Sequence, residues 1–229
     1  MNSLNRVKDH FEEEAREYDE LILKLIPNYV EMVKSLISSI PFEDSKPIKV
    51  LDLGCGTGNI TLAVKKRYPR AQVTCVDLAE RMIELAQFKL SEYDDIKYKV
   101  GDLRNIQFES DYDLILSSLA LHHLQSDEEK IAAYQKIYQS LKKGGAFYNA
   151  DSVTSSSDYL KKVGIEQWKE FMRKTIPEDE IEEQWLPRYY EEDFPAPLVK
   201  QVDWLRQVGF KNVDVTWKYV QGAVFGGIK

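Results

Sequence analysis

The chain has 229 residues, 43% of them hydrophobic and 30% charged, with a net charge of −7 and a pI near 5.2. This length and composition are typical of one globular domain with additions. Residues 178–193 carry eight acidic side chains and one arginine, which equals the whole negative excess. Strong nucleic-acid binding needs a basic surface, so we expect none here.

Cysteine usage and the N-terminus bear on the cell compartment. Cys55 and Cys75 lack the spacing of metal ligands, so we expect reduced thiols and no metal site. The N-terminal stretch is charged and lacks the apolar core of a signal peptide. The longest apolar run, 114–124, is interrupted by polar residues and too short to cross a bilayer. These features predict a cytoplasmic protein without membrane contact, as a monomer or homodimer.

The predicted elements change character along the chain. Residues 1–45 are predicted to form a helical cap, with two helices over 6–40 that are separated at Pro27. In the following core, 46–151, the pattern predicts strands at 48–53, 72–77, 96–100, 112–117 and 146–151, and helices at 60–67, 79–90 and 127–141. Such alternation predicts an α/β fold, a parallel sheet with helices on both faces.

Residues 152–200 interrupt this alternation. They are too many for a simple connection, and their helical pattern predicts an inserted lid. The last part, 201–229, is predicted to contain a helix that starts at about residue 200, then strands at 212–219 and 222–228. We therefore interpret the chain as one domain with a cap, a core, a lid and a C-terminal strand pair.

The strongest local signal is a strand that runs into the glycine loop VLDLGCGTGN, residues 50–59. Gly54, Gly56 and Gly58 allow a sharp turn and a close ligand approach, and the next helix N-terminus offers free N–H groups. Asp77 ends the second strand, where an acid accepts hydrogen bonds from ribose hydroxyls. The alternatives are a ligand-free turn and a helix-capping role for Asp77. Asn59 replaces the third glycine of the NAD fingerprint, which disfavours a nicotinamide oxidoreductase.

Several segments together resemble the motifs of class I S-adenosylmethionine-dependent methyltransferases. The segments are VLDLGCGTGNIT, VDLAERMIELA, GDLRNIQF, YDLILSSLALHHL, LKKGGAFYNAD and WLRQVGFKNVDV. The resemblance covers about 48–151 and 200–229. It implies a Rossmann-like, mostly parallel seven-stranded sheet whose last strand, GAVFGGI, is antiparallel. It also implies S-adenosylmethionine as cofactor and S-adenosylhomocysteine as product.

The resemblance also implies the residues that contact the cofactor. Asp77 would bind the ribose, Leu78 or Met82 would lie beside the adenine, and Asp102 with Leu103 would flank it, with Asp102 bonding its amino group. The loop residues Gly54, Cys55, Gly56 and Gly58 would line the site. Asp52 would fix the loop amides or contact the methionine amine through water, or make no contact.

A closer resemblance, to the subfamily that includes carboxy-S-adenosylmethionine synthase, comes from the segment between Tyr18-Asp19 and Tyr29 and from the ending VTWKYVQGAVFGGIK. It implies that Tyr29 lies against the cofactor. Ser118 stands where that enzyme has a cofactor-contacting asparagine. Tyr18 would cap the methionine end of the cofactor or pack in the core.

Substrate residues are predicted near the fourth strand and in the lid. His122 and His123 would supply a general base or form a passive wall. Arg188, with Tyr189 and Tyr190, would bind a substrate carboxylate, or Arg188 would only pair with Glu182, Glu183 or Glu191.

The predicted function is methyl transfer to a small molecule, since the lid is acidic and aromatic. The alternatives are a carboxy-S-adenosylmethionine synthase, a tRNA-modifying methyltransferase and a non-catalytic cofactor-binding module.

Overall fold

The computed structural model describes residues 3–15 and 17–229, so the first two residues of the expected cap and its Arg16 lie outside the description. The described part of the cap contains three helices, α1 (Ser3–Glu14), α2 (Tyr18–Leu25) and α3 (Tyr29–Ser38). The expectation of two helices is wrong because the helical periodicity continues across the boundary between α1 and α2. Ala15 is buried there against Ala79 and Met82, which anchors this part of the cap on the core.

One sheet of seven strands is found in the described residues. Its strands are β1 (Lys49–Leu53), β2 (Gln72–Asp77), β3 (Ile96–Val100), β4 (Tyr112–Ser118), β5 (Leu141–Ser152), β6 (Lys211–Tyr219) and β7 (Gly222–Ile228). The spatial order is β3-β2-β1-β4-β5-β7-β6, and β7 runs antiparallel to both of its neighbours. The five strands from β3 to β5 are parallel. The expected α/β fold is confirmed.

Helices cover both faces of this sheet. The remaining helices are α4 (Asn59–Arg67), α5 (Glu80–Lys89), α6 (Asp127–Ser140), α7 (Asp158–Met172), α8 (Glu178–Glu180), α9 (Leu186–Glu192) and α10 (Leu198–Val208). Strand side chains alternate between faces. Val50 accordingly packs in the apolar cluster that includes residues of α3 and α4, whereas Leu51 and Leu53 pack in the cluster that includes α6 and α10.

The segment between β5 and α10 packs on the N-terminal cap. It contains α7 and α8, a π-helical stretch (Ile181–Trp185) and α9. Its own apolar cluster, centred on Met172 and Trp185, includes Leu21 and Leu25 of α2. Trp168 Nε1 donates a hydrogen bond to the carbonyl oxygen of Leu25 at 2.7 Å. The inserted segment and the cap therefore share a small core of their own.

The strand order reverses between β1 and β4, whose carboxyl ends lie side by side. In parallel α/β sheets the crevice at such a switch point is where ligands bind.

In the described part of the chain, no helix combines the length and apolarity needed to cross a bilayer.

Candidate functional site

The glycine loop follows β1 and is fixed by neighbouring strands. The N–H groups of Gly54 and Cys55 donate to the carbonyl oxygen of Val76 at 2.8 and 3.0 Å. The Gly56 N–H donates to Asp77 Oδ2 at 2.8 Å. Gly54 has a φ of +71°, and a Cβ added there would lie 2.2 Å from the Cβ of Ala120. Only glycine fits this position, because the loop passes directly against the chain that follows β4.

A cavity of about 670 Å³, the glycine-loop cavity, opens beside this loop. Nine residues that the sequence analysis assigned to the cofactor line it: Tyr18, Gly54, Gly56, Asp77, Leu78, Met82, Asp102, Leu103 and Ser118. They come from α2 and α5, from the ends of β1, β2 and β4 or just beyond them, and from the segment after β3. The fold thus brings together residues from separate motifs, and their individual cofactor contacts stay predictions.

Four other predicted cofactor residues lie outside the lining of the cavity. Tyr29 packs against the apolar cluster of α3 and α4, and the side chains of Cys55 and Asp52 are buried. A Cβ at Gly58 would lie 2.8 Å from Leu90 Cδ1, so this glycine permits close packing of α4 against the end of α5. These four residues do not line the cavity, and their cofactor contacts stay predictions.

Two carboxylates of the cavity have different environments. Asp77 accepts from Gly56 N–H and also from Ala79 N–H, at 3.0 Å, and burial raises the pKa of Asp77. Asp102 is partly buried, which opposes ionisation, but hydrogen bonds from Arg104 outweigh burial and lower its pKa. Asp77 therefore orders the loop, whereas Asp102 carries a stable negative charge at the other end of the cavity.

Asp52 lies beneath the loop with its carboxyl group buried. Thr61 Oγ1 donates to Asp52 Oδ2 at 2.6 Å, while Oδ1 is buried without a hydrogen-bond partner. Burial is the main cause that raises the pKa of Asp52 to about 6. The orphaned oxygen is an acceptor that a water molecule or a ligand cation could satisfy.

A second cavity of about 1000 Å³, the aromatic chamber, lies between the cap, the inserted segment and the sheet. Its aromatic lining includes Trp168, Trp185 and Tyr189. Arg188 also lines it, with Nε 3.4 Å from Glu192 Oε2 and its guanidinium 5.5 Å from the centre of the Trp185 ring. Glu192 is a partner for Arg188 that the sequence analysis did not name.

Tyr190 was predicted to bind a substrate beside Arg188 and Tyr189, and this contact stays a prediction. The residue is 64% exposed and does not line the aromatic chamber. Successive helical residues are rotated by about 100°, so a residue of α9 that follows Tyr189 turns towards solvent. The centre of its ring lies 5.4 Å from the centre of the Tyr189 ring.

The two histidines meet two carboxylates at the wall of the chamber. His122 Nδ1 lies 2.5 Å from Asp151 Oδ1, and His122 Nε2 lies 3.4 Å from Asp193 Oδ1. Burial alone lowers the pKa of His122, but the charges of Asp151 and Asp193 outweigh burial and raise it to about 10. Burial tends to raise the pKa of Asp193, yet the His122 charge holds it far below its usual range. In this state His122 carries a proton at pH 7 and cannot accept another, which argues against a general-base role.

His123 occupies the boundary between the two cavities. Its Nδ1 lies 3.2 Å from Asp193 Oδ1 and 3.1 Å from the carbonyl oxygen of Glu192. Phe11, Tyr18, Leu119 and His123 line both cavities, so the glycine-loop cavity and the aromatic chamber share a wall.

Sequence reasoning missed several residues of this region. Asp19 accepts from Thr57 at 2.6 Å and from Lys89 at 2.6 Å, and thereby ties α2 to the start of α4 and the end of α5. Asp151 and Asp193 escaped notice as well. Asp151 ends a strand next to the strand of the histidines, which was a usable signal, whereas Asp193 is one of eight acids in a charged segment.

Comparisons with known proteins show similarity to methyltransferases. A methyltransferase domain family matches residues 50–145. A malonyl-[acyl-carrier protein] O-methyltransferase of Priestia megaterium is 32% identical over 145 residues, 61% of this chain and 48% of that protein. A carboxy-S-adenosyl-L-methionine synthase of Helicobacter pylori is 25% identical over 231 residues, 95% of this chain and 92% of that protein.

The chain is similar to class I S-adenosylmethionine-dependent methyltransferases, and the methyltransferase domain family covers its residues 50–145. The resemblance predicted from the motifs is confirmed, and with it S-adenosylmethionine as the cofactor of the family. The chain spans about half the length (48%) of the malonyl-[acyl-carrier protein] O-methyltransferase it matches. The fold agrees with that of an O-methyltransferase family protein from Burkholderia thailandensis, with a TM-score of 0.65, 15% identity and coverage of 98% of this chain and 60% of that one.

Proposed function

We propose that this protein transfers the methyl group of S-adenosylmethionine to a small molecule bound in the aromatic chamber. The observation that carries the proposal is the wall shared by the two cavities, formed by Phe11, Tyr18, Leu119 and His123. Group transfer requires reacting atoms held about 3–3.5 Å apart, so cofactor and acceptor sites must be contiguous. Two adjoining cavities meet this requirement.

The glycine-loop cavity fits the cofactor. A Cβ at Gly56 would have Tyr18 as its nearest neighbour, at 3.8 Å, so the loop backbone faces open space in the cavity. Asp77 at the end of β2 would hold the ribose, and Leu78, Met82 and Leu103 would enclose the adenine. Asp52 has an unpaired buried oxygen beneath the loop. When bound, the cofactor supplies a methyl group on a positively charged sulfur.

The aromatic chamber suits an organic acceptor with a few polar groups. Its lining is mostly apolar with a few polar groups, as is typical of small-molecule sites. Trp168, Trp185 and Tyr189 supply flat apolar surface, while Arg188 and Gln221 supply hydrogen-bond donors. A nucleic acid would meet the acidic segment 178–193 close to this chamber and would be repelled by it.

The residues of this chain would promote transfer by positioning and by excluding water. A protonated His122, held between Asp151 and Asp193, fixes the loop after β4 against the inserted segment. Trp168 and the cap close the opposite side of the chamber through the hydrogen bond to Leu25. An acceptor that attacks as a neutral amine or as a thiolate needs no base from the protein.

Carboxy-S-adenosylmethionine synthesis is a second candidate function. It is favoured by the similarity to the Helicobacter pylori synthase over 95% of the chain and by the presence of Arg188 in the chamber. A carboxylate removed from water needs a cation, and arginine can hold both of its oxygens. Against it, Arg188 already lies near Glu192, which offsets its charge.

Native mass spectrometry of the purified protein tests both candidates. Methyl transfer predicts retained S-adenosylmethionine or S-adenosylhomocysteine, whereas the synthase predicts a nucleoside heavier than S-adenosylmethionine by one CO₂ unit and its loss in Arg188→Ala. The acceptor is then sought with cofactor bearing a trideuterated methyl group and a small-molecule extract, with Asp77→Ala as control. Absence of any labelled product, with cofactor bound, would favour a non-catalytic binding module.

A further inference from the structure

We propose that His122, His123 and Asp193 bind one divalent transition-metal ion in the wall of the aromatic chamber. One ligand atom of each residue lies within 4.8 Å of the ligand atoms of the other two. The histidines follow β4, whereas Asp193 follows α9, so the fold brings two distant segments together. All three residues line the chamber.

The distances suit a shared ion better than direct hydrogen bonds. Asp193 Oδ1 lies 3.4 Å from His122 Nε2 and 3.2 Å from His123 Nδ1. Charge-assisted N–H···O bonds are shorter, about 2.7–2.9 Å. An ion about 2.1 Å from each ligand places tetrahedral neighbours about 3.4 Å apart. Small side-chain adjustments would therefore admit the ion.

Asp151 orients His122 as metal sites require. Its Oδ1 lies 2.5 Å from His122 Nδ1, and the carboxylate is itself held by the Asn149 side-chain amide at 3.1 Å and by the Ser152 N–H at 2.9 Å. Histidine ligands of metals characteristically donate their second ring nitrogen to such a carboxylate. This arrangement directs His122 Nε2 towards Asp193.

The charges around the cluster also favour a cation. Asp151 is 1% exposed and the Asp193 side chain is 23% exposed. A negative charge removed from water in this way needs a positive charge beside it. Without metal, a proton on His122 can provide it, and His123 Nδ1 can donate to the Glu192 carbonyl oxygen at 3.1 Å. A dication would displace the His122 proton, whereas neutral His123 would bind through Nδ1 with its own proton on Nε2.

The ligand types narrow the choice of ion. Two imidazole nitrogens and one carboxylate suit Zn²⁺, Fe²⁺ or Co²⁺, whereas Mg²⁺ and Ca²⁺ prefer oxygen ligands. With three protein ligands, further coordination positions stay open. They would face the chamber and could polarise an oxygen atom of the acceptor. This last step rests on the proposed methyl transfer, whereas the site itself does not.

Metal titration without cofactor tests the site alone. Untagged protein treated with a chelator is titrated with Co²⁺ and Zn²⁺, and affinity is followed by calorimetry and by the visible Co²⁺ spectrum. We expect one ion per chain. His123→Ala and Asp193→Ala should each weaken binding by about 100-fold or more, and Asp151→Asn by about 10- to 100-fold, because it only orients a ligand.

The third histidine of the chain provides the matched control. His10 pairs with Glu192 outside the proposed ligand set, so His10→Ala should keep metal affinity within about threefold of the wild type, as expected of a residue that neither binds nor orients the ion. Circular dichroism and urea denaturation establish that each variant is folded, and His123→Gln and Asp193→Asn replace any that is not. A thiolate-type Co²⁺ spectrum would assign binding to Cys55 or Cys75 and overturn the proposal. Affinity unchanged in both ligand variants, or no binding below about millimolar, would overturn it as well.

Discussion

Both cavities depend on left-handed backbone, but different residues supply it. In the glycine-loop cavity, Gly54 and Gly56 have φ values of +71° and +52°. In the aromatic chamber, Val220 has a φ of +47°, and Leu119, with a φ of +50°, lies in the wall that the two cavities share. Glycine adopts this conformation without a Cβ penalty, whereas an L side chain costs roughly 1–2 kcal/mol. The glycine loop itself is thus relaxed, whereas strain lies in the shared wall after β4 and in the turn between β6 and β7, which lines the aromatic chamber alone.

The two cavities also differ in the elements that hold them in place. The glycine loop is fixed by Val76, Asp77 and Ala120, all at strand ends or just beyond them. The chamber is assembled from the cap, the inserted segment and two strained turns. Strain of this kind persists only where the surroundings enforce it and is concentrated at functional sites.

The largest expected effect is that of Gly54→Ala. The new Cβ would lie 2.2 Å from the Ala120 Cβ, at a φ of +71°. Overpacking together with left-handed strain should lower the free energy of unfolding by about 2–4 kcal/mol. Urea denaturation measures this, and calorimetry should show loss of S-adenosylhomocysteine binding.

Gly144 and Ala120 provide the matched controls. Gly144 has a φ of +77° and no atom within 4 Å of an added Cβ, so Gly144→Ala should cost only about 1 kcal/mol. The double variant Gly54→Ala/Ala120→Gly should recover the steric part of the loss. Equal destabilisation by Gly54→Ala and Gly144→Ala would refute the close approach of the loop to the chain after β4.

Asp77→Ala tests whether the glycine-loop cavity binds the cofactor through its acid. Loss of hydrogen bonds to a charged group costs about 1.5–3 kcal/mol, or roughly 10- to 150-fold in S-adenosylhomocysteine affinity. Calorimetric titration measures it. Asp113→Ala is the control, because Asp113 Oδ2 also accepts a backbone N–H, from Lys49 at 2.9 Å, but lines neither cavity. Unchanged affinity in Asp77→Ala would show that this carboxylate only orders the loop and α5.

The residues that meet at the glycine-loop cavity could be predicted because their signals are local, and their cofactor contacts stay predictions. Gly54, Asp77 and Asp102 each follow a strand that hydrophobicity reveals, and parallel strands bring their carboxyl ends together. The alternation of strands and helices likewise predicted the sheet, and its interruption predicted the inserted segment after β5. At Gly58 the sequence motif does not distinguish a glycine that contacts a ligand from one that permits close helix packing. In the structure this glycine permits close packing against Leu90.

The chamber could not be predicted in the same way. Asp193 reaches His122 and His123 only through the path of the inserted segment, which no spacing encodes. The division between α1 and α2 leaves helical periodicity intact, and Tyr190 differs from Tyr189 only by its rotation about α9. Leu119 and Val220 adopt left-handed backbone although their side chains give no sign of it.

Asp52→Asn tests the electrostatics beneath the relaxed loop. Folding raises the pKa of Asp52 to about 6, from about 3.9 in an unfolded chain. The folded state therefore disfavours ionisation of the Asp52 carboxyl group. The free energy of unfolding that the neutral acid contributes declines as the pH rises from about 4 to about 6. Asparagine cannot ionise, so the variant should be more stable than wild type by about 1–2 kcal/mol at pH 8, with little difference at pH 4.

Urea denaturation at the two pH values measures this difference. Asp203→Asn is the control, because its carboxylate is 63% exposed beside Arg206 and should show no such pH-dependent gain. A pH-independent effect of Asp52→Asn would mean that the buried oxygen is hydrated and the carboxyl group ionises normally.

The smallest effect concerns the strained side of the comparison, at Val220 in the turn between β6 and β7. A β-branched residue at a φ of +47° is unfavourable, whereas asparagine adopts left-handed backbone more readily. Val220→Asn should therefore raise the free energy of unfolding by about 1 kcal/mol. Val100→Asn is the matched control: Val100 is 49% exposed at the end of β3 and is not among the residues with positive φ. That substitution should destabilise slightly, because asparagine is unfavourable in strands.

Since Val220 lines the chamber and not the glycine-loop cavity, S-adenosylhomocysteine affinity should stay unchanged in Val220→Asn. If both substitutions destabilise equally, the turn holds no strain, and the contrast between the relaxed glycine loop and the strained turn fails at this position.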